Sequence, residues 1–413
     1  MKARAVRGDE HLRIHPWRRL AVLALLVVCG WVSGAYGQSN TRLLLSSGVG
    51  VPEHAGFVFG PFSSLSMNEA KQIVFLSSLR GSKSELRAVI RSEGVTFSVV
   101  AFDGLRAPVA KAFYESFSAP SLNDGGLVAF TATLKKESEE IPASIVVRVE
   151  GTNHLAIARA GDAVPGIPDA TFQEFSAPLV DSAGNVLFAA RTGGKRTAPG
   201  LFYWTPRGTQ SVLVPAELNL LPNDLLEPAF FSHDEAVFVR RGTPTDLVME
   251  QFFRAIAIKN YQALNPAPAP SEAVEVLPAR SGEAGVNMLL VVMEGEKVET
   301  VALTGNPAQA VMVKQPAGIP SKPLGRIQGQ TSGARGNIIF ASTPSDQPND
   351  LALFCYCDGQ VNRLTTPEEF LSITTAGQGK PILSLAGDAR HTTAFIAPGE
   401  VEGTSAIYVT SIP

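Results

Sequence analysis

Residues 119–134 read APSLNDGGLVAFTATL, with Asn123, Gly126 and Phe130 in the pattern Asn-x-x-Gly-x-x-x-Phe. The same offsets return in APLVDSAGNVLFAARTG, residues 177–193, as Asp181, Gly184 and Phe188. Following the Phe position outward gives Phe75, Phe130, Phe188, Phe238, Leu289, Phe340 and Phe395. These seven copies are separated by 55, 58, 50, 51, 51 and 55 residues. A period of that length marks stacked or ring-arranged supersecondary units. Pro120, Pro178 and Pro228 stand ten residues before the Phe, and Gly126, Gly184, Gly285 and Gly336 stand four before it. Lys71, Asp234 and His391 replace that Gly in copies one, four and seven, and copy five keeps only Gly285 and an apolar run.

Within a copy the pattern is strand, turn, strand, strand, strand. In the third, FSAPLV (175–180) reads as a short strand, DSAG as a turn and NVLFAAR as an apolar strand. LFYWT lies between APG and PRG, and SVLVPAE follows. Third strands are expected at SIVVRV, LFYWT, RAIAIK, ETVALT, LALFCY and SAIYVT. Runs bounded by Gly, Pro, Asn and Asp at this spacing predict an all-β chain. The second strands (IVFL, LVAF, VLFAA, NIIFA) are almost continuously apolar, as strands covered on both faces are. Four-stranded sheets packed face to face around an axis give that cover, so the expected fold is a seven-bladed β-propeller.

The chain ends support closure of a ring. The last copy holds three strands, ILSL, TTAFIA and SAIYVTSI, before Pro413. RLLLSSGVGVP (42–52) matches HLAIARAGDAVP (154–165), the fourth strand and exit turn of copy two. Residues 42–48 are therefore expected to pair with 405–411. An open solenoid would instead need polar caps.

On these motifs the chain resembles secreted bacterial proteins built from Asn-x-x-Gly-x-x-x-Phe tandem repeats. More distantly it is similar to the TolB-type propeller repeat, whose core is a Pro, a Gly turn and an apolar strand. The resemblance covers residues 41–413. It implies a β-propeller and leaves activity to be argued from a site.

Residues 1–37 read as a signal peptide. Lys2, Arg4, Arg7, Arg13, Arg18 and Arg19 precede LAVLALLVVCGWV, and Ala35-Tyr36-Gly37 offers a small-x-small cleavage site before Gln38. The apolar run is short for a membrane span, and Val28 before Cys29 does not suit a lipoprotein. The expected product is secreted or periplasmic, spanning 38–413. NPAPAPSEAVEVLP, residues 265–278, reads as an exposed connector, with a boundary between two β domains as the alternative. PTDLVMEQFFRAIAIKN has helical spacing at its start, but the repeat register favours a strand from Arg254.

The formal charge is −3 over the whole chain. The leader holds six basic and two acidic residues, which leaves the remainder near −7. That opposes a nucleic-acid partner and an anionic membrane surface. No Gly-x-Ser-x-Gly elbow, phosphate loop or His-Glu-x-x-His helix occurs. His54, His154, His233 and His391 lack a second ligand at metal spacing and read as surface or turn residues. Cys355 and Cys357 share one face of a strand and read as a buried thiol pair, with a disulfide or a metal or redox pair as alternatives. Asn123, Asp124, Asp181 and Asp388, and the pair Gly161-Asp162, read as turn-closing residues; calcium would need six to eight converging oxygens. No catalytic, cofactor-binding or metal-binding residue is assigned, and no cofactor is expected. The favoured function is a non-enzymatic module binding a protein, glycan or envelope component. The alternative is a propeller hydrolase or lyase acting on sugar or peptide in the central channel.

Overall fold

The computed structural model describes residues 40–135, 142–194, 199–213, 225–232, 235–241, 251–256, 260–263, 273–277, 288–294, 297–303, 311–313, 324–332, 338–344, 352–357, 360–363, 384–387, 392–399 and 401–411. Every described element is a β-strand, and the described strands form seven antiparallel sheets, each consecutive in sequence except the last. Sheet one contains Val58–Met67, Ile73–Arg80, Glu85–Glu93 and Thr96–Phe102. Sheet two runs from Phe113–Phe117 to Asn153–Arg159, and sheet three from Ala170–Phe175 to Gly208–Leu213. Sheets four, five and six begin at Leu225–Ser232, Ala273–Leu277 and Leu324–Ser332. Sheet seven orders Asn40–Ser46, Ser405–Ser411, Thr392–Pro398 and Ser384–Gly387.

The repeated apolar position falls on the second strand of all seven sheets. Its third-strand partners are Ile90, Val147, Phe202, Phe253, Ala302, Phe354 and Tyr408, in chain order. Alternation along these strands explains their continuous apolar reading, because successive side chains point to opposite faces. Phe75 packs with Ala386, Ala394 and Ile396 of sheet seven, whereas neighbouring Val74 packs with Phe130 of sheet two. Phe130 faces back toward sheet one, and Ala129 joins Phe188 of sheet three. Both faces of the second strands of sheets one and two are therefore core. Phe75, Phe130, Phe188, Phe340 and Phe395 are fully buried.

The N-terminal strand pairs with the C-terminal one, from Asn40↔Ser411 to Ser46↔Ala406. The strand ends at Ser46, two residues short of the expected span. Gly48 leaves the ladder at φ 92° and donates its N–H to Phe59 C=O at 2.7 Å. Sheet seven also binds sheet one through hydroxyls. Ser405 Oγ accepts from Phe62 N–H at 2.7 Å, and Ser384 Oγ accepts from Leu65 N–H at 2.9 Å.

Three local expectations change. FSAPLV is not one strand: it ends Ala170–Phe175, breaks, and resumes as Leu179–Val180. Pro178 has no N–H to give, and Ser176 bridges the gap by donating its N–H to Ala189 C=O at 2.9 Å while its Oγ accepts from Ala189 N–H at 3.0 Å. Ser118 makes the same pair of bonds with Thr131, at 2.8 and 2.9 Å, before Pro120. The strand expected from Arg254 begins three residues earlier, as Gln251–Ile256. Phe252 and Phe253 face Val239 and Phe238 in the ladder, so pairing overrides the local helical spacing. Within 265–278, Ala273–Leu277 is the first strand of sheet five and not loop, held by pairing with Leu289–Met293. The preceding residues 265–272 lie outside the described residues, as do 1–37, His233 and His391.

Candidate functional site

The repeat turn closes as its residue types require. Asn123 Oδ1 accepts from Leu127 N–H at 2.9 Å, and Gly126 N–H donates to Asn123 C=O at 3.0 Å with φ 78°. In copy three, Asp181 Oδ1 accepts from Asn185 N–H at 2.7 Å, and Gly184 has φ 79°. Lys71 takes the same left-handed conformation at φ 62° without the freedom of glycine. These contacts identify Asn123 and Asp181 as turn residues. Asp124 Oδ1 reaches another copy and accepts from Glu69 N–H at 2.9 Å. Among the described residues, no group of three or more His, Cys, Asp or Glu is placed to hold a metal ion.

A second repeat lies where the fourth strand of one sheet passes to the first strand of the next. The connecting loops are residues 47–57, 103–112 and 160–169. Gly48, Gly104 and Gly161 open them at φ 92°, 89° and 95°. Their N–H groups donate to Phe59, Tyr114 and Phe172 C=O at 2.7, 2.9 and 2.7 Å. Those residues return N–H bonds to Val49, Leu105 and Asp162 C=O at 2.8, 2.9 and 2.9 Å. Inside each, Val51, Ala107 and Val164 N–H donate to Phe57, Ala112 and Ala170 C=O at 3.0, 2.9 and 2.9 Å. One scaffold is thus built three times.

The loop tips differ. They read Pro52-Glu53-His54-Ala55, Pro108-Val109-Ala110-Lys111 and Pro165-Gly166-Ile167-Pro168-Asp169. Glu53, Lys111 and Asp169 are exposed and left-handed, at φ 62°, 60° and 60°. Such a conformation costs a side-chain-bearing residue about 1–2 kcal/mol, so the hydrogen-bonded frame must hold it. His54 is a turn residue, as expected. Its ring meets Phe102 edge-on at 5.3 Å, which fixes the first tip against sheet one. The sequence signal for these loops was Gly-x-x-x-Pro: Gly48/Pro52, Gly104/Pro108 and Gly161/Pro165. Only the first and third were aligned above. Gly161-Asp162 belongs to this frame.

His154 is neither a surface nor a turn residue. It lies half-buried in the strand Asn153–Arg159, with Nδ1 2.8 Å from Tyr114 Oη. Burial lowers the imidazole pKa, partly offset by a hydrogen bond to the Val100 backbone. Tyr114 is fully buried, and burial raises its pKa, so the phenol stays protonated beside the imidazole. Cys355 and Cys357 lie on Ala352–Cys357 as expected; their side chains lie outside the described residues. Asp388 also lies outside them. The three tips carry charged side chains on one hydrogen-bonded frame.

Residues 31–214 match a family described as a family of unknown function, DUF7453. That span is under half of the chain and holds the first three sheets. No curated protein sequence matches the chain. Among solved structures it is similar to prolyl oligopeptidase B from Galerina marginata, at 10% identity and a TM-score of 0.50, over 84% of this chain and 50% of that one. A puromycin-hydrolyzing peptidase of Mycobacterium tuberculosis gives 9% identity and a TM-score of 0.48, over 88% of this chain and 56% of that one. Dipeptidyl peptidase 4 of Porphyromonas gingivalis gives 10% and 0.45, over 84% and 50%. The chain thus spans about half the length of these proteins. At such identity the likeness concerns the fold alone, which is all-β and propeller-like.

Proposed function

We propose that the chain is an exported, non-enzymatic β-propeller of seven blades that binds a protein, glycan or other envelope component through the exit loops. The observation that carries this reading is the threefold loop frame with divergent, exposed, left-handed tips at Glu53, Lys111 and Asp169. Loops on a rigid scaffold are where recognition residues collect. The blade count rests on the seven sheets, the Asn-x-x-Gly-x-x-x-Phe period and the N-terminal strand in sheet seven. The tandem-repeat and TolB-like kinship, the leader at 1–37 and the single domain over 38–413 belong to the same reading. Export to the periplasm or beyond follows from the basic, apolar and small-x-small order of the leader.

The test uses immobilised mature protein and an envelope extract. Wild type is compared with the triple variant Glu53→Gly, Lys111→Gly, Asp169→Gly, which removes three side chains where glycine relieves strain. A component retained by wild type and lost by the variant, at a melting temperature no lower than wild type, supports the reading. A component consumed by the protein, or held equally by both, opposes it.

A further inference from the structure

We propose that His154 is a proton-sensitive clamp on the stem of the loop 103–112, releasing that loop when its imidazole is protonated. The proposal deepens the binding reading, since it rests on the exit loops being recognition elements. Val100 lies on Thr96–Phe102, the strand that enters the loop, and Tyr114 lies on Phe113–Phe117, the strand that leaves it. In this clamp the Tyr114 hydroxyl donates to His154 Nδ1, 2.8 Å away, and the Val100 backbone acts on the same imidazole. One neutral imidazole therefore joins both sides of the stem. Val100 is the extra residue of a β-bulge, between the pairs Val89↔Ala101 and Ile90↔Val99. A bulge leaves its residue out of the ladder and open to such a partner.

The molecule contains an apolar counterpart. Register places Phe59 and Phe97, around the loop 47–57, where Tyr114 and His154 stand around 103–112. Phe59 pairs with Leu79 as Tyr114 pairs with Leu134, and Phe97 pairs with Ser92 as His154 pairs with Val149. Phe59 and Phe97 meet edge-on at 5.9 Å, which holds that stem without a titratable group. Around the third loop, Phe172 stands in the place of Tyr114, so the titratable pair belongs to the second loop among these three.

Proton uptake turns Nδ1 from acceptor to donor and leaves the Tyr114 hydroxyl facing a second donor in a buried site. Charge near the imidazole does not oppose release. Thr96–Phe102 carries no charged residue, Phe113–Phe117 carries Glu115, and Ser144–Glu150 carries Arg148 and Glu150, paired with each other at 3.1 Å. Arg159 lies on the histidine's own strand, and the loop itself carries Asp103, Arg106 and Lys111.

The test is amide hydrogen exchange of the mature protein alone at about pH 7.5 and pH 5.5, corrected for intrinsic rates. At one unit below the ordinary imidazole value of about 6.5, opening is favoured by up to about tenfold. Gly104, Leu105 and Tyr114 amides should lose protection to that extent, while Gly161, Val164 and Phe172 in the third loop stay within about twofold. The double variant Tyr114→Phe, His154→Phe, which copies the Phe59–Phe97 pair, should abolish the difference. Equal acid loss in both loops, or persistence in the double variant, overturns the clamp. Should that variant not fold, the imidazole titration of wild type decides, because release must follow the His154 midpoint. No partner is present, so the result is independent of whether the loops bind one.

Discussion

The side-chain amide of Asn123 donates to the backbone carbonyl of Asp181 at 2.8 Å, across 58 residues of sequence. One copy earlier, Asn68 Nδ2 donates to Asn123 C=O at 2.9 Å. The motif asparagine thus closes its own turn with Oδ1 and ties that turn to the next copy with Nδ2. Two further ties run in parallel. Leu122 and Val180 N–H donate to Ser66 and Ser121 Oγ at 3.3 and 3.1 Å, and Arg91 Nη1 and Arg148 Nε donate to Gly126 and Gly184 C=O at 3.1 and 3.2 Å. The replacement Asn123→Asp keeps the turn acceptor and removes the donor, setting a carboxylate against a buried carbonyl. It should destabilise by about 1–3 kcal/mol in urea titration. An unchanged midpoint would mean the tie contributes nothing.

Lys71 occupies the left-handed position that glycine holds in copies two and three. Lys71→Gly removes about 1–2 kcal/mol of backbone strain and adds about 0.4–1 kcal/mol of unfolded-state entropy, so a net gain of roughly 0.5–1 kcal/mol is expected. Gly184→Val should cost roughly 1–3 kcal/mol, because a Cβ there meets Arg148 Nη2 and Leu127 Cδ1 at 3.2 Å besides adopting φ 79°. Chemical denaturation of the two variants should move in opposite directions.

Deleting residues 38–48 removes the outer strand of sheet seven and with it the buried Leu45. That side chain alone contributes about 1.5–3 kcal/mol, and the freed edge of Ser405–Ser411 adds unpaired backbone. The melting temperature should fall well beyond the effect of trimming an ordinary terminus. A melting curve identical to wild type would mean the closing pair does not form.

Burial lowers the pKa of His154 in the folded chain below its unfolded value. Between those two values the unfolded state binds more protons. This contribution is therefore complete above about pH 6.5 and is lost as pH falls toward the folded pKa. Urea midpoints at about pH 7.5 and 5.5 should separate more for wild type than for His154→Phe. An equal separation would remove His154 from the account.

The all-β character and the four-stranded antiparallel sheets were legible because their decisive signals are local. Gly126 and Gly184 need positive φ, and the Phe positions must be buried, so both leave a periodic mark in the residue types. The link from Asn123 to Asp181 was not legible, because a turn-closing asparagine and a turn-bridging one are the same residue at the same place. Gln251–Ile256 was misplaced at its start because Val248, Phe252 and Ile256 mimic helical spacing, while strand pairing is non-local. The exit loops were visible in part through Gly-x-x-x-Pro, but their charged tips carry no shared residue type. His154 was misread because a lone histidine says nothing of a tyrosine 40 residues away.

The most direct test of the binding account is site-specific photo-crosslinking in the producing cell. Photoreactive residues replace Glu53, Lys111 or Asp169 in the exit loops, and Val95 or Thr152 at the opposite ends of the fourth strands. The account predicts one recurrent adduct from the exit-loop positions and none from Val95 or Thr152. Adducts confined to Val95 and Thr152 would contradict it. So would turnover of a glycan, peptide or ester that a single channel-carboxylate substitution abolishes.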